Sequence, residues 1–322
     1  MDPIYQGFEL LTAYYKTVDL TPINVDILVP QNLTAGCYPT IARFHGGGFT
    51  SGSSLHTGFF PRWVLDLALS VGAIIISSNY RLLPESNAID ILEDLDDLWK
   101  WLTPNLNELL KLCAASGIEA DLNRILTVGE SAGGYLSVQF ALDHAHEGVV
   151  ATIAECAAFD IRAMAAAGGN QTTAINSSSI GVEKRSDCSN TPVIADPTLS
   201  RFGIISEIIQ SGKMLDYFPD EVERVHPFDR VANGTRMPPT FLIHGLDDTV
   251  VPSAQSERFA QLLFEQNPDA SVHLELQPGE HLMDVPLRLG HPWLTRGVEL
   301  VESAWLGRAA VSGMSSSEGH SC

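Results

Sequence analysis

Residues 129–133 read Gly129-Glu130-Ser131-Ala132-Gly133, and this stretch decides the fold and the chemistry expected of the chain. It follows an apolar strand pattern at 125–128 and precedes a helix pattern that begins at Gly134. A serine on a strained strand-to-helix turn leaves no room for side chains two positions away, so glycine is needed on both sides. The pentapeptide therefore predicts a nucleophile elbow, with Ser131 exposed at a helix N-terminus where developing negative charge is favoured.

A glycine run upstream of this serine predicts a site for an oxyanion. It reads His45-Gly46-Gly47-Gly48-Phe49 and directly follows the strand pattern at 40–44. Consecutive glycines allow backbone N–H groups to converge on one point, where they can stabilise a tetrahedral intermediate of acyl transfer. We expect the N–H groups of Gly46 and Gly47, together with that of Ala132, to form this oxyanion hole.

An acid and a base are expected downstream of the serine, because the order on this type of sheet is serine, acid, histidine. The apolar run at 240–243 leads to two adjacent carboxylates, Asp247 and Asp248, and the run at 272–276 leads to His281. We predict Asp248 as the acid and His281 as the base, with Asp247 left open as the alternative acid. The other histidines that we weighed are assigned structural or solvated roles, namely His45, His144, His146, His244 and His291.

Taken together, these residues resemble the hormone-sensitive-lipase-like branch of the α/β-hydrolases, a family of carboxylesterases and lipases. The resemblance covers about residues 20 to 305 and includes the segment at 79–85, which is similar to the family's Y-R-L-A-P-E motif. It implies that Ser131 is the nucleophile, Asp248 the triad acid and His281 the general base, with no metal and no organic cofactor. Glu130 departs from the aspartate that many members carry, and the sequence at 279–283 departs from the usual last loop; both departures touch the expected substrate pocket.

Strand patterns alternate with helix patterns along most of the chain, which predicts one α/β domain with a mainly parallel sheet and helices on both faces. Residues 1–322 are thus expected to form a single α/β-hydrolase domain with a helical cap. The alternation breaks at about 160–235, and we expect this segment, with residues 1–20, to form the cap over the active site. Residues 313–322 are expected to be a disordered tail.

Substrate contacts can be predicted only by position in the sequence. We expect Phe49, Glu130, Phe159 and Phe218 to line the pocket, with Met164, Met214 and Tyr217 as further cap candidates. Apolar candidates outnumber basic ones, which favours a small to medium, fairly hydrophobic, uncharged ester. A non-hydrolytic elimination or cyclisation, or lactone or C–C hydrolysis, in specialised metabolism is the alternative. A ligand receptor on a retired hydrolase fold would lack a triad residue, and all three are present.

Composition and charge restrict the expected partners and location. The chain has 39 acidic and 19 basic residues, a net charge of −20, so a nucleic acid or an anionic membrane surface is not expected as a partner. Its five cysteines are scattered, and no secretory signal or membrane-spanning run is visible, which predicts a cytoplasmic protein. The expected partner is a small-molecule ester, and a homodimer is left open.

Overall fold

The computed structural model describes residues 2–113, 117–168 and 191–307. Within these ranges, eight strands form one sheet in the order β1-β2-β4-β3-β5-β6-β7-β8. The strands are β1 Phe8–Val18, β2 Thr21–Pro30, β3 Gly36–Phe44, β4 Ile74–Ser78, β5 Ile118–Glu130, β6 Val149–Glu155, β7 Thr240–Gly245 and β8 Val272–Gln277.

Helices connect most of these strands. They are α1 Arg62–Val71, α2 Ala88–Cys113, α3 Ala132–His144, α4 Ile161–Gly168, α5 Phe202–Gln210, α6 Met214–Tyr217, α7 Pro227–Ala232, α8 Ala254–Gln266 and α9 Thr295–Leu306, with short 3-10 turns at Pro3–Tyr5 and Glu223–Val225. Among the residues described, we find no helix with both the length and the apolar character needed to cross a membrane.

The sheet is antiparallel at one end and parallel elsewhere. Strand β2 pairs antiparallel with β1 and β4, whereas β3 to β8 are joined by parallel pairings. Helices α2 and α3 pack on one face, and α1 and α9 on the other, where Trp63 and Trp305 are fully buried. This arrangement confirms the predicted fold class, and it brings the carboxyl ends of β5, β6, β7 and β8 to one edge of the sheet.

The N-terminal residues differ from the sequence-based expectation. Residues 1–20 were expected to belong to the cap, but Phe8–Val18 forms the edge strand β1 and pairs with β2 along its length. Phe8 and Tyr15 are buried against the core, while Glu9 and Tyr14 face solvent. Because this strand is antiparallel and precedes no helix, the strand–helix alternation used to segment the sequence does not mark it.

The described part of the predicted cap comprises the helices between β6 and β7. These helices pack on the glycine run that follows β3. A Cβ at Gly48 would lie 2.8 Å from Ile205 of α5, and the ring of Phe49 lies 5.0 Å from that of Phe218, which follows α6. The rest of the predicted cap, at 169–190, and the predicted tail at 313–322 lie outside the described residues.

Candidate active site

The serine elbow has the strained geometry that its two glycines suggest. Ser131 has φ 56° and ψ −119°, a backbone conformation that non-glycine residues rarely adopt. A Cβ at Gly129 would lie 2.0 Å from the Gly133 carbonyl oxygen, and one at Gly133 would lie 2.1 Å from that of Phe44. The Ser131 N–H donates to the Glu155 carbonyl at 2.8 Å, which ties the elbow to the end of β6. Ser131 therefore sits where β5 ends and α3 begins.

The acid faces the histidine directly. Asp248 Oδ2 lies 2.7 Å from His281 Nδ1, and Oδ1 accepts the N–H groups of Val250 and Val251, each at 2.8 Å. The neighbouring Asp247 points elsewhere, because its Oδ2 accepts the Gly279 N–H at 2.9 Å. Of the two adjacent carboxylates, Asp248 is thus the one that can orient the imidazole.

Hydrogen bonds keep Asp248 ionised. Burial raises the pKa of this carboxyl, but hydrogen bonds from His244 and His281 outweigh it and hold the pKa well below its usual range. His244 Nε2 lies 3.2 Å from Asp248 Oδ2, and its Nδ1 contacts Ser256 Oγ at 2.7 Å. His244, which the sequence assigned to a structural role, is therefore a second partner of the acid.

The other side of His281 faces a thiol. His281 Nε2 lies 4.0 Å from Cys156 Sγ, and in the described part of the chain no hydrogen bond joins it to Ser131. Catalytic hydrogen bonds are often long before substrate binds and shorten afterwards. Cys156, Asp248 and His281 also form a close group of metal-ligand types among the described residues, although the last two are already bonded to each other. Cys156 was not predicted, yet it follows β6 as Ser131 follows β5.

One N–H group of the glycine run is already hydrogen-bonded within the protein. The Gly46 N–H donates to Glu130 Oε1 at 2.9 Å, so it is not available to an oxyanion, contrary to the sequence-based assignment. Among the described residues, no acceptor is bonded to the N–H groups of Gly47, Gly48 or Ala132. The donor set that the geometry leaves open is therefore shifted by one residue along the glycine run.

Glu130 is buried against the glycine run. It was expected to line the substrate pocket, and it does not. It is fully buried and forms an ion pair with Arg43, whose guanidinium lies over the ring of Phe60. Burial raises the pKa of Glu130 to about 7, against the lowering effects of Arg43 and the Gly46 N–H. Glu130, next to Ser131, thus holds the glycine run in place through its contact with the Gly46 N–H.

A second buried carboxyl, Glu155, lies close to Glu130 at the end of β6. Burial and the neighbouring carboxyl of Asp284 raise the pKa of Glu155 well above its usual value. Neither Glu155 oxygen receives a donor among the described residues, whereas Asp284 accepts Trp63 Nε1–H at 3.0 Å. A neutral carboxyl at Glu155 avoids a second unpaired negative charge in the protein interior beside Asp284. The sequence feature that could have indicated this buried carboxyl is a glutamate in an apolar strand pattern.

We expect Glu130→Gln to change the pH dependence of stability. The pKa of Glu130 rises from 4.5 to about 7 on folding, so its protonated form favours the fold. That contribution is fully present below about pH 4.5 and is lost as pH rises through about 7. The free energy of unfolding of the wild type, relative to the variant, should therefore fall across this range by up to roughly 3 kcal/mol, at about 1.4 kcal/mol per pKa unit. Urea titrations at several pH values measure it, and parallel curves for the two proteins would contradict it.

Aromatic residues fill the space between the glycine run and the cap. The Phe49 ring meets the rings of Tyr135 and Phe218 edge-on at 5.4 Å and 5.0 Å, and all three side chains are buried. Phe159, also expected in the pocket, instead stacks on Phe259 of α8 at 4.4 Å in a separate apolar cluster. Its role is therefore core packing, because the chain turns it toward α8 after β6.

Comparison with known proteins agrees with this geometry. A family model described as alpha/beta hydrolase fold matches residues 41–280. Probable carboxylesterase M8 of a Phoma species is 28% identical over 90% of this chain and 94% of its own length. Non-reducing polyketide synthase Preu6 of Preussia isomera is 27% identical over 88% of this chain, which spans only 14% of that protein.

Solved structures with the same fold include two bacterial proteins. Esterase 2 of Thermogutta terrifontis, phosphoramylated by tabun, has a TM-score of 0.61 at 17% identity and covers 96% of this chain and 98% of its own. An alpha/beta hydrolase superfamily protein from Enterococcus faecalis has a TM-score of 0.64 at 19% identity, covering 92% and 99%. With the family model matching most of its length, this chain belongs to the alpha/beta hydrolase fold family.

Proposed function

We propose that the protein is a serine hydrolase that cleaves carboxylic esters through an acyl-enzyme on Ser131. The observation that carries the proposal is the 2.7 Å contact between Asp248 Oδ2 and His281 Nδ1, at the same sheet edge as the strained serine. A carboxylate bonded to Nδ1 leaves Nε2 as the nitrogen that accepts a proton. Similarity to a probable carboxylesterase over nearly the whole chain supports the same reaction.

In the proposed mechanism, His281 Nε2 takes the proton of Ser131 as Oγ attacks the ester carbonyl. Asp248 holds the imidazole in the required tautomer and stabilises its charged form. The oxyanion accepts the N–H groups of Gly47, Gly48 and Ala132, and the alcohol leaves with the proton from His281. Water then repeats the sequence, releasing the acid and restoring the serine hydroxyl.

The proposed substrate is an uncharged, fairly hydrophobic ester of small to medium size. The cluster of Phe49, Tyr135 and Phe218 beside the glycine run supports this class, because it makes the surroundings of the run apolar. Similarity to segments of fungal polyketide synthases suggests a place in secondary metabolism. A cytoplasmic location and a homodimer stay predictions.

A screen of esters and lactones of graded size tests this proposal. We expect saturable hydrolysis of short and medium uncharged acyl esters by the wild type, with weaker turnover of anionic esters of equal size. The measurement is kcat/KM for each substrate, with product identified by chromatography. Conversion of a substrate without release of an acid and an alcohol would favour elimination or cyclisation, and would contradict ester hydrolysis.

A further inference from the structure

The loop at residues 45–52, termed the oxyanion loop, has backbone conformations that non-glycine residues rarely adopt. Gly47, Gly48 and Gly52 have φ values of 116°, 63° and 95°, and the non-glycine Phe49 has φ 61°. Such conformations cost on the order of 1–3 kcal/mol for a non-glycine residue and persist only where the surroundings fix them. The contacts that fix this loop therefore decide where its N–H groups point.

Hydrogen bonds to the carbonyls of Gly46 and Gly47 orient the N–H groups of Gly47 and Gly48. The Gly46 carbonyl lies 2.7 Å from His45 Nδ1, and the Gly47 carbonyl accepts the N–H groups of Thr50 and Ser51 at 3.2 Å and 3.0 Å. In a trans peptide the N–H points away from the C=O of the same plane. Fixing the direction of the Gly46 carbonyl thus fixes that of the Gly47 N–H, and fixing the Gly47 carbonyl likewise fixes the Gly48 N–H.

The His45 contact requires a ring that carries a proton on Nδ1. Burial lowers the pKa of His45 to about 3, so the ring is uncharged at neutral pH. The Gly46 carbonyl can only accept, which places the proton on Nδ1. The Gly47 N–H is therefore oriented from within the loop, whereas the Gly48 N–H depends on where Thr50 and Ser51 are held.

Asp196, at the base of the cap, holds Ser51 from outside the loop. Its Oδ2 accepts the Ser51 hydroxyl at 2.6 Å, and its backbone exchanges two hydrogen bonds with Gly52, at 3.0 Å and 2.7 Å. Asp196 as a whole residue is 6% exposed. Burial raises the pKa of Asp196, but hydrogen bonds from Ser51 and the Arg201 N–H bring it down to about 2, so it remains an acceptor at any working pH.

The residues after Asp196 add further contacts between the base of the cap and the oxyanion loop. Thr198 Oγ1 and Ser200 Oγ donate to Asp196 Oδ1 at 2.8 Å and 3.1 Å, which turns the chain back toward the loop. The Arg201 guanidinium then donates to the Thr50 carbonyl at 3.1 Å, and Ile205 of α5 packs on Gly48. The base of the cap and the oxyanion loop are thus joined by side-chain, backbone and packing contacts.

We propose that Asp196 is a positioning residue for the oxyanion hole, acting through Ser51 on the peptide between Gly47 and Gly48. The proposal rests on the proposed function, since it assigns a role in stabilising the oxyanion of ester hydrolysis. It also makes the cap part of the catalytic machinery: displacement of residues 196–205 would turn the Gly48 N–H away from the reacting oxygen.

Ser51→Ala tests this role, with Thr12→Ala as its matched control. Both variants delete one hydroxyl that donates to a buried aspartate at 2.6 Å, but Thr12 lies on β1 and its partner is Asp26, away from the oxyanion loop. Removing a whole oxyanion donor costs about two to three orders of magnitude in rate, so misdirecting one should lower kcat by roughly 10- to 100-fold. We expect KM to change by less than about twofold in Ser51→Ala, and both parameters to stay near wild type in Thr12→Ala.

A transition-state analogue separates positioning from general weakening of the fold. The affinity of a trifluoromethyl ketone, which forms a tetrahedral adduct on a serine, should fall in Ser51→Ala by the same factor as kcat. Combining Ser51→Ala with Asp196→Asn should cost little more than Ser51→Ala alone, because both break the same chain of contacts. Additive losses, or a change confined to KM, would overturn the proposal. Absence of turnover in the wild type speaks against the proposed function instead, so the two failures are distinguishable.

Discussion

Ser131→Ala is expected to lower kcat for a short p-nitrophenyl ester by roughly 10⁴- to 10⁶-fold, the loss typical of removing a catalytic serine. The structure gives the reason: Ser131 is the residue held in the strained turn where β5 meets α3, at the sheet edge shared with His281 and Asp248. A hydrogen in place of the hydroxyl leaves the acyl group with no oxygen to attach to. The measurement is steady-state turnover, with the thermal unfolding midpoint recorded on the same sample.

Ser137→Ala is the matched control for this substitution. Ser137 is also a buried serine of the same region, but its hydroxyl contacts the backbone carbonyls of Gly134 and Ile153 within α3 and β6. We expect it to lose stability by about 1 kcal/mol, the usual value of such a hydrogen bond, and to keep its turnover. If Ser131→Ala retained activity close to that of Ser137→Ala, another nucleophile would be required.

Asp248→Asn is expected to lower kcat by about 10⁴-fold, because it traps the histidine in the wrong tautomer. Oδ1 of Asp248 accepts two backbone N–H groups, from Val250 and Val251, so the amide oxygen of an asparagine would occupy that position. Its NH₂ group would then face His281 Nδ1 and donate to it. The ring would carry its proton on Nε2, where it could no longer accept one from Ser131.

Asp247→Asn provides the comparison at the adjacent position. Asp247 Oδ2 accepts only the Gly279 N–H among the described contacts, and an asparagine oxygen can accept the same bond. We expect turnover within about threefold of wild type, since this contact holds the loop before His281 and leaves the imidazole untouched. Equal losses in Asp247→Asn and Asp248→Asn would mean that the pair acts through loop structure and not through the histidine tautomer.

The geometry of the candidate site could be predicted from the sequence where a motif coincides with the end of a strand. Gly129 and Gly133 mark the elbow because a Cβ at either position would collide with backbone, and that constraint is local. An acid at 247–248 and a base at His281 could be expected, because parallel strands bring their carboxyl ends to one edge. The sequence favours Asp248 but leaves Asp247 open, since the choice depends on which carboxylate accepts the Gly279 N–H.

The remaining differences come from contacts between distant segments. Gly46 was expected to serve the oxyanion, but Glu130, far along the chain, accepts its N–H. Glu130 ends β5 and Phe159 follows β6, yet the first pairs with Arg43 and the second stacks on Phe259. Sequence spacing predicts that these residues lie near the site, but it does not predict which side chain each of them contacts.

The most direct test of the central claim is the site of covalent modification by a fluorophosphonate. Such a reagent reacts with a serine whose proton is removed by an adjacent base, and the phosphonyl oxygen then accepts the oxyanion donors. Mass spectrometry of the digested, labelled protein should find the adduct on Ser131 alone, with labelling slowed by several orders of magnitude in His281→Ala. An unmodified Ser131 in folded wild-type protein, or an adduct that forms equally fast in His281→Ala, would contradict the account.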